Sequence, residues 1–365
     1  SERASKIAFL LAVLCPFTAI YCAAPLSETL SIFAATAALL AVVCALQDGS
    51  ALQWHYWIFG GLALAMAILL RPDGGVLLAA ILLYSGWRFV QRRYTSRKQL
   101  LTGSVIMTMV ALAPLIPWTV RNWRVFQTFQ PLAPRYANAP GEFVPTGFNR
   151  WMRTWCVEFV CTNDVYWQVS ADTQGEEVHF DTIPKRAFDT PQQEQQTRLL
   201  IDDYNSSLLL TPELDKGFER LAQERVQHSR FRYYIWLPLL RVLDMWLRPR
   251  TEMLNLDLDW WKFQDISESL TSLALAVLNA LYLACAALGL RKRAGVRFVG
   301  LFVAFIVLRS LMLASLENPE PRYTLECFPA VIVLAAAGIG AIPFWRSPQA
   351  KVPLRQTSLQ TPSSM

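Results

Sequence analysis

Seven side chains in this 365-residue chain could do chemistry at a fixed place: Glu28, Arg71, Asp73, Arg121, Arg309, Arg322 and Tyr323. Four are arginines. A guanidinium suits phosphate because it is planar, stays charged and offers two parallel donors. A carboxylate such as Glu28 can take a proton from an attacking hydroxyl. Arg322 and Tyr323 belong to Glu317-Asn318-Pro319-Glu320-Pro321-Arg322-Tyr323, where two prolines fix the backbone and stop a helix from running through. A plain turn would do with Gly, Asn or Ser, so this one reads as built to hold charge still. Arg71 and Asp73 sit in Arg71-Pro72-Asp73-Gly74-Gly75, a run of strong helix breakers. Arg309 is different: it falls inside the apolar run Val296–Leu316, near its end, and an ionisable residue within a span is a functional hypothesis by default. Other readings stand beside these. Arg309 also fits snorkelling or pairing with an acid, Arg71 and Asp73 a local ion pair, and Arg322 an interfacial anchor. Glu28 fits a first helical turn, where an acid is favoured by the helix dipole alone.

The elements that carry these residues are apolar runs. Apolar residues make up 53% of the chain and there are 13 Trp, a composition that excludes an ordinary soluble domain and points to a multi-span membrane protein. The spans expected are Ile7–Ala24 with a kink at Pro16, Leu30–Leu46, Trp54–Leu70, Val76–Val90, Leu101–Val120, Leu270–Leu290, Val296–Leu316 and Leu325–Ile342. The excess of Lys and Arg lies in short connections beside them, which is the charge pattern that orients a membrane protein and not a nucleic-acid signature. Alternation places Arg92–Lys98, Arg291–Arg297 and the tail from Arg346 on one side, the cytoplasmic one. Every connection that mixes acids with Arg then falls on the opposite, external face. The expected fold class is therefore all-α, a polytopic membrane helix bundle of about eight spans with a large external, mostly helical interfacial segment. Its divisions are 1–121 (five spans), 122–267 (the external segment), 268–345 (three spans) and 346–365 (a disordered cytoplasmic tail).

Within the external segment, Thr211-Pro212-Glu213 is a helix start, with an N-cap hydroxyl, proline at the first position and an acid in the first turn. Leu214, Phe218, Leu221 and Arg225 follow at helical spacing. Phe231–Leu247 is apolar but holds Arg232, Pro238, Arg241 and Asp244, too many charges to span. It reads as a helix lying at the interface with Tyr233, Tyr234, Trp236 and Trp246 at headgroup level. The whole segment reads as packed on the membrane surface and not as a globular unit. Cys156 and Cys161 could pair if that side is oxidising. No zinc spacing, catalytic triad, P-loop or dinucleotide fingerprint occurs, and neither a metal nor a cofactor is expected.

Leu26-Ser27-Glu28-Thr29-Leu30, Leu70-Arg71-Pro72-Asp73-Gly74, Pro117-Trp118-Thr119-Val120-Arg121-Asn122 and Pro321-Arg322-Tyr323 occur in that order. This ordered set resembles the GT-C integral-membrane glycosyltransferases, in the branch of dolichyl-phosphate-mannose–protein mannosyltransferases and bacterial aminoarabinose transferases. The resemblance implies an inverting transfer of a sugar from a polyprenyl-phosphate donor to an acceptor protein, lipid or glycan on the periplasmic or lumenal face. A carboxylate would take the acceptor proton and arginines would stabilise the departing lipid phosphate. It implies that Glu28, Arg71, Arg121 and Arg322, the positions on its motifs, belong to the donor cavity, with arginine as phosphate partner and Glu28 a weak candidate for the base; Asp73, Arg309 and Tyr323 are added as lipid-phosphate-binding candidates from their positions in the sequence. Members carry their key acid in a first external loop that has no counterpart here, since Pro25–Thr29 is short and holds one acid. The expectation is thus a chain that lacks the catalytic acid, encoded upstream, and is inactive alone. A transporter or a non-catalytic scaffold binding lipid phosphate remains the alternative, and the brevity of the loops favours a bacterial inner membrane over the endoplasmic reticulum.

The topology has a direct test. If 122–267 is external, an impermeant thiol reagent applied to intact cells should label Ser206→Cys and spare Ser96→Cys. The reverse order would overturn the arrangement.

Overall fold

The computed structural model describes residues 2–24, 26–47, 53–91, 97–134, 136, 138, 141–254, 256–292 and 296–342. Among them no β-strand occurs. Ser96 and the tail 346–365 lie outside the described residues.

The membrane part begins with α1 (Glu2–Val13) and α2 (Pro16–Cys22), a pair bent by 46° where Pro16 withholds its N–H. Then come α3 (Glu28–Gln47), α4 (Trp54–Leu70), α5 (Gly75–Val90), α6 (Arg97–Leu112) and α7 (Leu115–Phe126). The stretch expected to be external, called the external stretch below, supplies α8 (Thr146–Arg153), the single-turn α9 (Phe159–Cys161), α10 (Pro191–Ser207), α11 (Pro212–His228) and α12 (Leu237–Leu247). The chain returns through α13 (Ile266–Arg291), α14 (Val299–Leu313) and α15 (Phe328–Gly340). Among the described residues, five helical stretches are long and apolar enough to cross a membrane: α3, Pro72–Val90, Arg97–Phe126, α13 and Pro321–Gly340. The bent α1–α2 pair could be a sixth, and α4 and α14 are shorter apolar helices. Together they coincide with the apolar runs expected from the sequence.

One boundary moves. The expected span Leu101–Val120 breaks at Ala113-Pro114 and resumes as α7, which runs on to Phe126. Arg121 therefore rides on a helix and does not open the external stretch.

Large apolar side chains point outward along these helices, among them Phe33, Leu40, Leu62, Leu83, Met109 and Leu311, each between 55% and 67% exposed. Such a surface is costly in water and ordinary in lipid. Inside, α3, α4 and α6 pack together, α15 packs on α13 and α1, and α14 packs on α5. Between helices in lipid, association depends on close approach more than on a hydrophobic driving force. Gly289 on α13 and Gly338 on α15 provide that approach: a Cβ on Gly289 would lie 2.1 Å from the Leu334 carbonyl oxygen, and one on Gly338 2.1 Å from that of Cys285.

The external stretch has a buried core of its own, formed by Phe148, Trp151, Trp155, Tyr204, Phe218 and their neighbours. Its helices start where the sequence marks them. Thr190 caps α10 through the Gln193 N–H, and Thr211 caps α11 through the Leu214 N–H. Asp215 on α11 accepts from the N–H groups of Gly147 (3.1 Å) and Phe148 (2.8 Å), satisfying the start of α8. Leu214, Phe218, Leu221 and Arg225 are all buried. Arg225 donates to Thr154 Oγ1 and to the Arg186 carbonyl and pairs with Asp189 at 3.1 Å. Burial alone would raise the Asp189 carboxyl; the Arg232 hydrogen bonds and the Arg225 charge overcome that and hold it below the ordinary carboxylate range. Cys156 and Cys161 form a disulfide.

The segment Phe231–Leu247 is helical as expected, with a π-turn at Arg232–Trp236 ahead of α12. Two of the four aromatic residues expected at headgroup level are turned into the protein instead. Tyr233 is buried beneath Arg153, and Trp246 packs on the membrane core and donates from Nε1 to Ser310 Oγ at 3.0 Å. The two arginines that argued against a span are satisfied inside the protein, Arg232 by Asp189. Arg241 is buried and donates to the carbonyls of Cys156 and Arg153.

Gly338→Leu should wedge α13 from α15. Overpacking costs roughly 1–3 kcal/mol, so the variant in detergent should melt several degrees below the parent by size-exclusion thermal challenge. An unchanged midpoint would mean that the two helices do not touch at this point.

Candidate active site

Glu28, Arg71, Asp73, Arg309, Arg322 and Tyr323, spread over nearly 300 positions of sequence, meet at one end of the helix bundle. Each arrives by a different local device. Glu28 is the first residue of α3. Arg71 terminates α4 in an extended conformation, and Pro72–Gly74 forms a 3-10 turn that lifts Asp73 over the start of α5. Gly74 is required there, because a Cβ would lie 2.6 Å from the Ala67 carbonyl oxygen. Arg309 is in the last turns of α14. Arg322 and Tyr323 belong to the 3-10 segment Pro321–Cys327 that precedes α15.

Arg309 is 1% exposed and fully engaged. Its Nη2 meets Asp73 Oδ2 at 2.9 Å, its Nη1 meets Glu326 Oε2 at 2.8 Å, and its Nε donates to the Tyr323 carbonyl at 3.0 Å. Arg71 Nη1 meets Glu28 Oε1 at 3.0 Å, and its Nε lies 3.4 Å from Asp73 and 3.7 Å from Glu326. Arg322 Nε lies 2.5 Å from Glu320 Oε2 and 3.8 Å from Glu28 Oε1. The Tyr323 ring lies beneath both Arg71 and Arg322, at 5.2 and 5.5 Å from their guanidinium carbons, and its hydroxyl donates to Glu320 at 2.7 Å. Arg71, Asp73 and Tyr323 line a cavity of about 1010 Å³. Its other wall comes from the external stretch, including Phe148, Tyr166, Trp167 and the loop up to Glu176. Two layers that the sequence treats separately thus share one cavity.

Arg121 is not brought into this cluster by any described contact. It is exposed on α7, lies over the rings of Trp118 and Phe126, and donates to Asn122.

Three participants escaped the sequence reading. Glu326 sits in a stretch counted as apolar span, yet the rule that singled out Arg309, a charge inside a span, applies to it equally. Glu320 stands in the proline loop but was not chosen as a site residue. Arg250 is 2% exposed and donates to the Pro321 carbonyl at 2.6 Å and Thr324 Oγ1 at 2.7 Å, so it clamps the 3-10 segment from the external side. Its signal was the charged run Arg248-Pro249-Arg250-Thr251-Glu252 directly after an amphipathic helix.

The family model described as dolichyl-phosphate-mannose-protein mannosyltransferase matches residues 1–118. The matched third is similar to membrane glycosyltransferases of the mannosyltransferase type. It contains Glu28, Arg71 and Asp73, and the residues that complete the cluster lie beyond it. Searches of curated proteins and of solved structures return no match.

Removing the Arg309 charge would leave buried Glu326 and half-buried Asp73 with only the longer contacts of Arg71, and breaking a buried pair in this way costs up to roughly 3–5 kcal/mol. Arg309→Met should therefore lose most of its monodisperse peak in detergent size exclusion, with Arg309→Lys partly retained. A parent-like peak and melting point for Arg309→Met would show that this ion pair is dispensable for folding.

Proposed function

We propose that the protein is a glycosyltransferase that moves a sugar from a polyprenyl-phosphate donor to an acceptor on the external face of the membrane, by inverting displacement at the anomeric carbon. The observation that carries this reading is that Arg71, Asp73 and Tyr323 line one cavity at the end of the helix bundle, with Arg322 stacked on the same Tyr323 ring, in a chain whose first third matches a sugar-phosphate-dependent transferase family. The cavity is of ligand size, and its charged wall meets the end of the helix bundle, where a lipid-linked phosphate would present itself.

In this reading Arg71 and Arg322 hold the phosphate. Both are partly exposed, at 17% and 22% of their side chains, whereas Arg309 is enclosed. Arg309 is then a positioning residue that fixes Asp73 and Glu326, and through its bond to the Tyr323 carbonyl it fixes the ring on which both other arginines rest. As the acceptor oxygen bonds to the anomeric carbon, the bond to phosphate oxygen breaks and negative charge grows on the leaving group. Preorganised guanidinium groups are worth most at that moment. The phosphate enters by exchange, since each arginine already faces a carboxylate; Glu28 and Glu320 would be released from Arg71 and Arg322 as it binds. Glu28, freed in this way, would take the acceptor proton. The donor sugar, the acceptor and a bacterial inner membrane belong to the same proposal.

The test is transfer of radiolabelled sugar from a polyprenyl phosphate by the full-length protein in membranes. A charge-assisted bond to phosphate contributes roughly 1.5–3 kcal/mol, so Arg322→Ala should slow transfer by about ten- to a few hundred-fold. Arg322→Lys should recover only part of this, because a point charge cannot replace the paired donors. Parent rates for both variants would make Arg322 an interfacial anchor and nothing more.

A further inference from the structure

A second cavity, of about 800 Å³, shares no lining residue with the first. One wall is a face of α12: Leu237, Leu240, Leu243 and Leu247, on successive turns. The opposite wall is the edge of the external core, where Trp155 and Phe188 stand among paired charges. Arg186 pairs with Glu158, and Arg232 grips Asp189 through two bonds of 2.7 Å. Trp260 and Trp261 close one side.

Two properties of this cavity identify its occupant. The first is where it opens. Leu243, Leu247, Trp236 and Trp261 line it and are also 45–57% exposed, so its mouth lies along an apolar surface strip. That strip continues through Phe263, Ile266 and Leu270 onto the outer face of α13, one of the helices able to cross a membrane. A cavity that opens on the lipid-facing surface is filled from the bilayer. The second property is its charge. Three arginines (Arg186, Arg232, Arg248) alternate with three carboxylates (Glu158, Asp189, Asp244). An anionic headgroup would meet Glu158 and Asp189 together with the arginines, whereas a headgroup carrying phosphate and ammonium side by side has a partner for each sign. Asp244 adds a demand for a donor: its Oδ2 is buried and accepts no hydrogen bond, with Arg248 3.7 Å from the other oxygen.

We propose that this cavity holds one zwitterionic glycerophospholipid of the leaflet on which α12 rests, its chain along Leu237, Leu240, Leu243 and Leu247 and its headgroup among Arg186, Glu158 and Asp244. Moving an acyl chain from bilayer to an apolar cavity changes its surroundings little, so retention depends on the headgroup. The bound lipid extends the seat of the external layer into the membrane beside α12. The inference rests on the membrane reading of the fold and is independent of sugar transfer.

The experiment uses the full chain in nanodiscs of equal phosphatidylethanolamine and phosphatidylglycerol, with a trace of either lipid carrying a photoreactive group on its acyl chain. Cross-links are located by peptide mass spectrometry. The phosphatidylethanolamine probe should label peptides spanning 236–248 or 260–261 several-fold more than the phosphatidylglycerol probe. Leu240→Trp, which fills the cavity, should abolish that label and leave labelling of α13 intact. Arg186→Glu, which turns the rim acidic without touching the apolar wall, should remove the headgroup preference. Equal labelling by both probes, no label on these peptides, or displacement of the label by excess undecaprenyl phosphate would each overturn the proposal.

Discussion

A guanidinium buried in the last turns of a membrane helix is costly unless carboxylates come to it, and the burial of Arg309 organises this end of the molecule. Its two partners arrive from far apart in sequence: Asp73 from the turn after α4, Glu326 from the segment before α15. Taking such groups out of water costs several kcal/mol each, and only near-ideal geometry with further hydrogen bonds compensates. Arg309 meets that demand with three separate contacts between 2.8 and 3.0 Å. The apolar faces of α14, α5 and α15 could pack in more than one register. The ion pairs accept one.

Charge counting shows what the cluster can accept. Arg71, Arg309 and Arg322 face Glu28, Asp73, Glu320 and Glu326, three cations against four carboxylates. This is not a vacant cationic pocket. A phosphate can be held only if it replaces carboxylates, so the cost of releasing Glu28 or Glu320 subtracts from its affinity. A site of this kind binds its ligand loosely in the ground state and gains as charge develops on the leaving oxygen, which is the direction a transferase needs. The same neutralisation favours the unliganded protein, because none of the three arginines of the cluster lacks a carboxylate.

The arrangement of helices was legible because apolar length and proline punctuation act locally. Trp54–Leu70 falls on α4 to the residue, and Pro16 marks the bend between α1 and α2. The charges at span ends that the structure gathers were legible too, apart from Arg121, whose side chain stacks on its own helix. Pairing was not legible. Nothing local links Asp73 to Arg309 across 236 positions of sequence, and Glu326 was masked by the apolar residues around it. The external core was hidden for another reason. Trp151, Trp155 and Tyr204 are as good at a membrane interface as in a protein interior, and sequence spacing does not separate the two. Tyr233 and Trp246 were misplaced on the same ground.

The segment Pro321–Cys327 explains how one short peptide serves three neighbours at once. An α-helix here would spread seven residues over two turns on a 100° step; the 3-10 form repeats every three residues, so i and i+3 stack on one line. Tyr323 and Glu326 thus share a face, and that face meets Arg309 and Arg71. Pro321, Thr324 and Cys327 form the second line, where the Pro321 carbonyl and Thr324 hydroxyl receive Arg250 from the external layer. Arg322 and Leu325 form the third, with Leu325 in the membrane core and Arg322 at the boundary. Pro321 opens the segment and Pro329 starts α15 with no N–H to lose, which favours the tighter coil between them. Because its three faces are held by the bundle, the external layer and the core, a shift of any one is transmitted to the position of Arg322.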